Sequence, residues 1–506
     1  MTSTPPTAGR REWIALAVLI LPLLLVSMDV SILYFAIPYI SRDLGPSATQ
    51  QLWILDMYGF VLAGLLITMG ALGDRIGRRR LVLAGAVVFG AASVAAAYAH
   101  SAEELIAVRA LLGVGGAALM PSTLALIRNL FRDEKERGKA VALWTAVMTA
   151  GISLGPVVSG LLLQHFWWGS VFLINLPAMA LLLILGPLLL PEFTVAAGGR
   201  FDVLSAVLSL ATLLPVIHGI KELAANGYAQ LPALFITAGL AIGVVFVRRQ
   251  QTLDQPMIDL SLLRQRAFGG SLLANLLAMF ATIGFAVFIS QYLQSVRGMS
   301  ALEAALWSLV PIGGVAVLAP AGALLARRFD RAYVMAGGFA VSACGFLRLS
   351  QVHPGSPLHV TLIGAAVYAG GLVAATTLAN ELAIGAAPPE RAGSAAAVLE
   401  AGQELGGALG MAVLGSVGAA VYRSDMAGAP DAVRRTLGGA TAVAHGDVLT
   451  AAHDAFVHAL DFAAVGAAAA MTGAAVLSVV LLRGARTAGQ SAADPGAVTA
   501  VSTTTG

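Results

Sequence analysis

Gly70-Ala71-Leu72-Gly73-Asp74-Arg75-Ile76-Gly77-Arg78-Arg79-Arg80 stands between two long apolar runs, and its reading decides the fold. The glycines permit a tight turn. Asp74 can sit at a helix terminus or pair with an arginine, and the arginines hold the segment at a membrane surface. A plain basic loop needs only the arginines; the G-x-L-x-D-R-x-G-R-R spacing of Gly70, Asp74, Arg75, Gly77, Arg78 and Arg79 goes well beyond that.

Outward from this turn the chain repeats one pattern. Crossing about 30 Å of hydrocarbon takes roughly 20 apolar residues as a helix. Fourteen segments of the 506 residues qualify, from Trp13–Tyr34 to Phe456–Leu482. The shortest are the seventh (Val203–Ile220), the eighth (Leu231–Val247) and the eleventh (Tyr333–Leu349). The chain is 58% hydrophobic and 11% charged, against about 25% charged in soluble domains, which excludes a globular reading. The net charge of +3 does not mark a nucleic-acid partner, because the basic residues fall in short clusters between apolar runs. With both termini cytoplasmic, 22 of the 30 Lys and Arg lie on the inner side. Seven lie outside, Lys221 among them, and Arg109 lies within a span. That bias is the positive-inside rule, and one miscounted central span would erase it.

The sequence also sets negative expectations. Cys344 is the single cysteine, which rules out an intrachain disulfide and reads as a small buried hydrophobe. No Gly-Lys-Ser/Thr phosphate loop, nucleophile constellation or metal-ligand spacing appears, so an enzyme, a metal site and ATP-driven transport are all unsupported. Arg10-Arg11 before the first run mimics an export peptide, but no small-residue cleavage site follows. Residues 423–455 form the longest external loop, mobile by default, with a short ordered hairpin or surface helix as the alternative given the amphipathic character of Asp447–Ala459. The polar residues 483–506 read as a disordered cytoplasmic tail.

Charges inside the spans are the candidate functional groups, because stranding one in hydrocarbon costs several kcal/mol. Asp29 in the first span and Arg109 in the fourth fall at similar depth, about 1.5 Å per residue from the span ends, and can pair. Asp56 enters the outer third of the second span, either as a vestibule charge or as an interfacial residue beside Trp53 and Tyr58. Glu400 and Glu404 lie one turn apart on the thirteenth span, and two such close carboxylates resist simultaneous ionisation. That arrangement suits exchange of protons for an organic cation. Asp461 and Glu381 are lesser candidates. Tyr34, Tyr58, Trp144 and Trp307 can stack on flat cations, though lone aromatics in apolar helices are mostly packing residues.

These motifs together resemble the major facilitator superfamily, whose signature loop matches Gly70–Arg80. Gly151-Ile152-Ser153-Leu154-Gly155-Pro156-Val157-Val158-Ser159-Gly160 is similar to the antiporter helix of its drug exporters, with Ser159 in place of a final-pair glycine. Arg109-Ala110-Leu111-Leu112-Gly113 is similar to the motif whose arginine takes part in proton transfer. Met28-Asp29-Val30-Ser31 keeps the family's first-span pattern, but Tyr34 replaces its asparagine. Gln51–Tyr58, Leu119–Leu124 and Ala395–Glu400 resemble the quaternary ammonium efflux pumps of the fourteen-span drug:proton antiporters. By this resemblance Glu404 matches an acidic position linked to coupling. Leu399 lacks the carboxylate of its acidic pair, and Val315 stands mid-way in a tenth span without an acid.

The resemblance implies an all-α fold with fourteen membrane helices in a 6 + 2 + 6 arrangement. An N-terminal bundle spans residues 13–192 after a cytoplasmic segment 1–12, two inserted helices span 193–250, and a C-terminal bundle spans 251–482. It implies a proton-driven antiporter without cofactor, acting as a monomer in the bacterial inner membrane, whose partners are amphipathic cations, protons and lipids. Alternatives are an exporter of an endogenous antibiotic, lipid or amino acid on the same fold, and a membrane receptor or scaffold that transports nothing.

Overall fold

In hydrocarbon no water is available to a free backbone N–H or C=O, so an apolar run must satisfy its own hydrogen bonds, as a helix does. The computed structural model describes residues 8–192, 202–226, 230–253, 260–387 and 392–484. Fourteen of its helices are long and apolar enough to cross a membrane. The first six are α1 (Arg10–Leu44), α2 (Ala48–Gly70), α3 (Arg78–Ala97), α4 (Ala102–Leu130), α5 (Lys135–His165) and α6 (Ser170–Leu189). Next come α7 (Leu204–Leu223) and α8 (Gln230–Thr252). The last six are α9 (Arg266–Val296), α10 (Ala301–Leu325), α11 (Arg331–Leu349), α12 (Leu358–Ala386), α13 (Val398–Asp425) and α14 (Asp447–Leu482).

Local sequence sets where they begin. Ser47 and Gln50 cap each other reciprocally at the start of α2, with hydrogen bonds of 3.2 and 2.8 Å. Ser101 and Asp133 accept from the backbone N–H three residues on, opening α4 and α5. Gly45, at φ +56°, closes α1 in a left-handed cap.

The helix pairings reveal an internal repeat. In the first six, α1 packs on α5 and α6, α2 on α4, and α3 on α4 and α6. The same five pairings recur eight helices later: α9 on α13 and α14, α10 on α12, α11 on α12 and α14. Two bundles of the same design therefore face each other. Their main seams, α2 against α13 and α5 against α10, are equivalent under that repeat. The hairpin α7–α8 is inserted between the halves, and α7 lies along the seam against both α2 and α13. Asp202, just before α7, takes hydrogen bonds from Ser205 and from Arg249 of α8 (2.9 Å). Partial burial works against its charge, yet these bonds outweigh that and hold its carboxyl below its ordinary value.

Fourteen crossings bring the start of α1 and the end of α14 to one face, here termed the terminal face. At the opposite, far face several contacts join the bundles. Ser290 Oγ donates to the Tyr34 carbonyl at 3.0 Å, Gly160 of α5 abuts the backbone of Ala301 and Leu302, and Gly415 of α13 abuts Leu52.

Three expectations need correction. Lys221 is not in an external loop: the helix carrying α7 runs on to Asn226, and Lys221 is buried inside it. Residues 423–455 are not a bare mobile loop. They form short helices Asp431–Arg435 and Leu437–Val443, and the amphipathic stretch from Asp447 is the first turns of α14 rather than a separate surface helix. Cys344 is exposed on α11, not buried. The segments 1–7 and 485–506 lie outside the described residues.

Candidate functional site

Asp29 sits in the middle of α1, flanked by Ser27 and Ser31, whose hydroxyls return to the α1 carbonyls of Leu24 and Met28. Two turns into α4, Arg109 meets it. The guanidinium Nη1 donates to Asp29 Oδ2, and both side chains are 1% exposed. Arg109 Nε also donates to the Ile54 carbonyl at 2.9 Å and Nη2 to that of Leu55 at 3.4 Å. The guanidinium lies 4.8 Å from the centroid of the Tyr58 ring, and the Tyr58 hydroxyl donates to the Val26 carbonyl. Three helices, α1, α2 and α4, thus converge on one cation. Desolvating such a pair costs several kcal/mol per ion, which close geometry and extra hydrogen bonds offset. Asp29 Oδ1 is left without a partner among the described residues, so the pair retains an open acceptor.

Asp56 lies on the other side of α2 and is also buried. It is not a vestibule charge: Lys221 Nζ of α7 approaches its Oδ2 to 2.7 Å, and both side chains are 0% exposed. The same ammonium stands 3.7 Å from the centroid of the Trp53 ring. Lys221 escapes a reading by span length because it follows the last strongly apolar residue of a short run. An internal carboxylate such as Asp56, needing a partner, is the signal that points to it.

Across the seam, Glu400 and Glu404 project from α13, both partly buried. Glu404 is within Coulombic reach of Tyr34 and Tyr58, so it faces the first bundle. Glu400 Oε1 is buried without a hydrogen-bond partner, and no basic residue pairs with either glutamate among the described residues. Between them in sequence, Gln403 donates to Asn275 of α9 (3.4 Å) and Asn380 of α12 (3.2 Å). This polar trio was not singled out in the sequence, although amides inside apolar runs carry the same kind of signal as charges.

Of the aromatic candidates, Tyr34 and Tyr58 are buried beside these charges. Trp144 is buried on α5 and donates to Thr123 Oγ1 at 3.2 Å, a packing role. Trp307 is 38% exposed on α10 and shares no ring or hydrogen-bond contact with the other three. Glu381 lies 4.0 Å from Arg331, with both exposed, and Asp461 has one buried oxygen without a partner.

The two motifs are structural clamps, one at the terminal face and one beside Asp29. In the α2–α3 turn Arg78 pairs with Asp74 at 2.6 Å, Gly77 takes φ +106°, and Glu192 accepts from the Arg79 backbone at 3.1 Å. A Cβ on Gly77 would strike the Glu192 carboxylate. The turn is therefore pinned by the end of α6 through a glutamate that the motif itself does not contain; Arg75 points outward. On α5, Gly151 and Gly155 press on Ser27 and Ser31 of α1, the serines that flank Asp29, while Ser159 Oγ donates to the Ile32 carbonyl at 2.9 Å. Pro156 follows Gly155 within the same helix. Gly160, one turn further, leaves this face and contacts the other bundle.

No group of three or more His, Cys, Asp or Glu is arranged to hold a metal among the described residues. What the arrangement can do is hold buried charge in and beside the seam between two repeated bundles, and that is transport chemistry. A sequence model described as Major Facilitator Superfamily matches residues 19–411. The chain belongs to that superfamily. The multidrug efflux pump LfrA of Mycolicibacterium smegmatis is 44% identical over 453 residues, covering 88% of this chain and 89% of LfrA. The methyl viologen resistance protein SmvA of Salmonella typhimurium is 37% identical, covering 80% and 82%. The puromycin resistance protein pur8 of Streptomyces alboniger is 32% identical, covering 83% and 85%. Among solved structures, an inward-facing, occupied bacterial homolog of the human lysosomal transporter Spinster matches with a TM-score of 0.65. It is 17% identical and covers 94% and 98%, a likeness of fold alone. The protein is thus a multi-pass inner-membrane transporter of drug-efflux type, not an enzyme.

Proposed function

We propose that the protein exports lipophilic organic cations, quaternary ammonium compounds and cationic dyes among them, in exchange for protons. The observation that carries this reading is the pairing of two unlike charge centres across the seam. One is the Asp29–Arg109 ion pair with an open acceptor; the other is Glu400 and Glu404, which have no basic partner among the described residues. A carboxylate without a counter-charge in a low dielectric takes either a proton or another cation, which is the competition an antiporter needs. The basic-residue bias supports cytoplasmic termini, and the contacts of Ser290, Gly160 and Gly415 then support a state closed to the outside. Rocking of the two bundles would expose the seam to each side in turn, driven by the proton gradient and not by ATP. Both charge centres come from one polypeptide, which supports a monomer as the transport unit. Resistance to methyl viologen, a flat dication, in one relative supports cationic cargo.

The relatives named for tetracenomycin C and puromycin favour a second reading, export of an antibiotic on the same machinery. Purified protein in liposomes with a pH-reporting dye separates the two. Ethidium should drive proton release in the wild type and not in Asp29→Asn or Glu404→Gln. Undiminished exchange in both variants would overturn the proton-coupled reading, and proton release with puromycin but not ethidium would favour the second.

A further inference from the structure

Both buried ion pairs involve α2, yet they differ in kind. Arg109 belongs to the same bundle as Asp29, and its guanidinium is satisfied by carboxylate, two carbonyls and a ring. Lys221 comes instead from the inserted hairpin. It offers Asp56 a single ammonium, packed on the face of Trp53. Carboxylate on one side and indole on the other is how a protein holds an organic ammonium group. His218, one turn before Lys221, lies 6.3 Å from the same indole. Trp53 and His218 also line a far-face cavity of about 410 Å³, so the buried pair lies one helical turn behind residues of that cavity's wall.

Charge balance gives this placement a consequence. Tyr34 is within Coulombic reach of both Asp56, on α2, and Glu404, on α13. A cation stacked against Tyr34 therefore feels carboxylates from both bundles. Two carboxylates one turn apart resist carrying two charges at once, so Glu400 and Glu404 complement a single positive charge. Asp56 would supply a second attraction if its own counter-ion were absent.

We infer that Lys221 is a specificity-determining residue: a tethered ammonium that occupies Asp56 and tunes the pathway toward monovalent rather than divalent organic cations. The inference rests on the cation-export reading above. It also gives the inserted hairpin a role in selectivity.

The test compares ethidium, a monocation, with methyl viologen, a dication, in proteoliposomes made from the monodisperse fraction of each variant. Lys221→Met frees Asp56, and the KM ratio of methyl viologen to ethidium should fall about tenfold, the factor supplied by about 1.4 kcal/mol of added attraction. Asp56→Asn leaves a lone ammonium in the pathway and should raise the same ratio. The double variant, neutral at both positions, should return it toward the wild-type value. A merely structural pair would move both ratios in the same direction or not at all, and either result overturns the inference. If one single variant yields no folded protein, the sign of the other measured against the double variant decides. Wild-type protein that moves neither cation would sink the export reading itself, whereas export with an unmoved ratio sinks only the role of Lys221.

Discussion

Arg109 shows what a single side chain must do to be tolerated in an apolar seam. It is 1% exposed and spends its donors on Asp29 and on the carbonyls of Ile54 and Leu55. Only a planar fork reaches all three. Lysine keeps the charge but offers a compact ammonium that cannot span carboxylate and both carbonyls. Arg109→Lys is therefore expected to insert normally but to lose most ethidium–proton exchange. Arg109→Ala, which strands a buried carboxylate, should also destabilise the fold by about 3–5 kcal/mol. Thermal unfolding in detergent beside liposome exchange checks both; wild-type exchange in Arg109→Lys would show that charge alone suffices. At this scale the sequence was informative for Asp29 and Arg109, because a charge within a run of twenty apolar residues stands out. Lys221 did not stand out. Its burial depends on α7 continuing past its apolar run and lying against Asp56, a tertiary fact.

At the scale of the element, α5 has two faces with different duties. Gly151 and Gly155 let it press against Ser27 and Ser31, so the α1–α5 contact fixes the backbone on either side of Asp29. A Cβ on Gly155 would collide with Ser31 Oγ and stand 3.0 Å from the Met28 carbonyl. Gly155→Val should accordingly lower stability by about 1–3 kcal/mol, in the range of core overpacking, and slow exchange by shifting Asp29. Ser31→Gly in the same background should recover part of both, since it removes the hydroxyl that is struck. Thermal midpoints and exchange rates of the single and double variants measure this; no recovery would place the strain elsewhere. The hairpin α7–α8 has its own clamp in Asp202 and Arg249. Because the Asp202 carboxyl is held below its ordinary value, that clamp is present above the unfolded value and lost as pH falls through the depressed one. The pair is partly exposed, so the effect on stability is about 0.5 kcal/mol.

For the whole molecule, the repeat relating α1–α6 to α9–α14 turns one seam into two equivalent ones, the geometry that rocking motion uses. On the far face Gly160 brings α5 directly against the α10 backbone. A Cβ there would lie 2.5 Å from Leu302 Cα and 2.8 Å from its nitrogen. Gly160→Phe is expected to pry this face apart, and about 1–3 kcal/mol of strain on the closed state shifts the population about 5- to 150-fold. A cysteine at Ser41, which is buried at the far-face end of α1 against Gly438, should then react faster with a membrane-impermeant maleimide once Cys344 is replaced. An unchanged rate would mean that Gly160 does not hold that face shut.

By itself the sequence determined the class of molecule. Twenty-residue apolar runs can only be helices in hydrocarbon, the Gly70–Arg80 turn and the Gly151–Gly160 helix mark the superfamily, and charges inside runs mark where to look. These signals are local, and local spacing carries them. Tertiary structure alone decided the partners. Asp56 was assigned to Lys221, and Glu192 was set on the signature turn. Both depend on which segments lie side by side, and pairing across a hundred or more residues leaves no periodic trace in the chain.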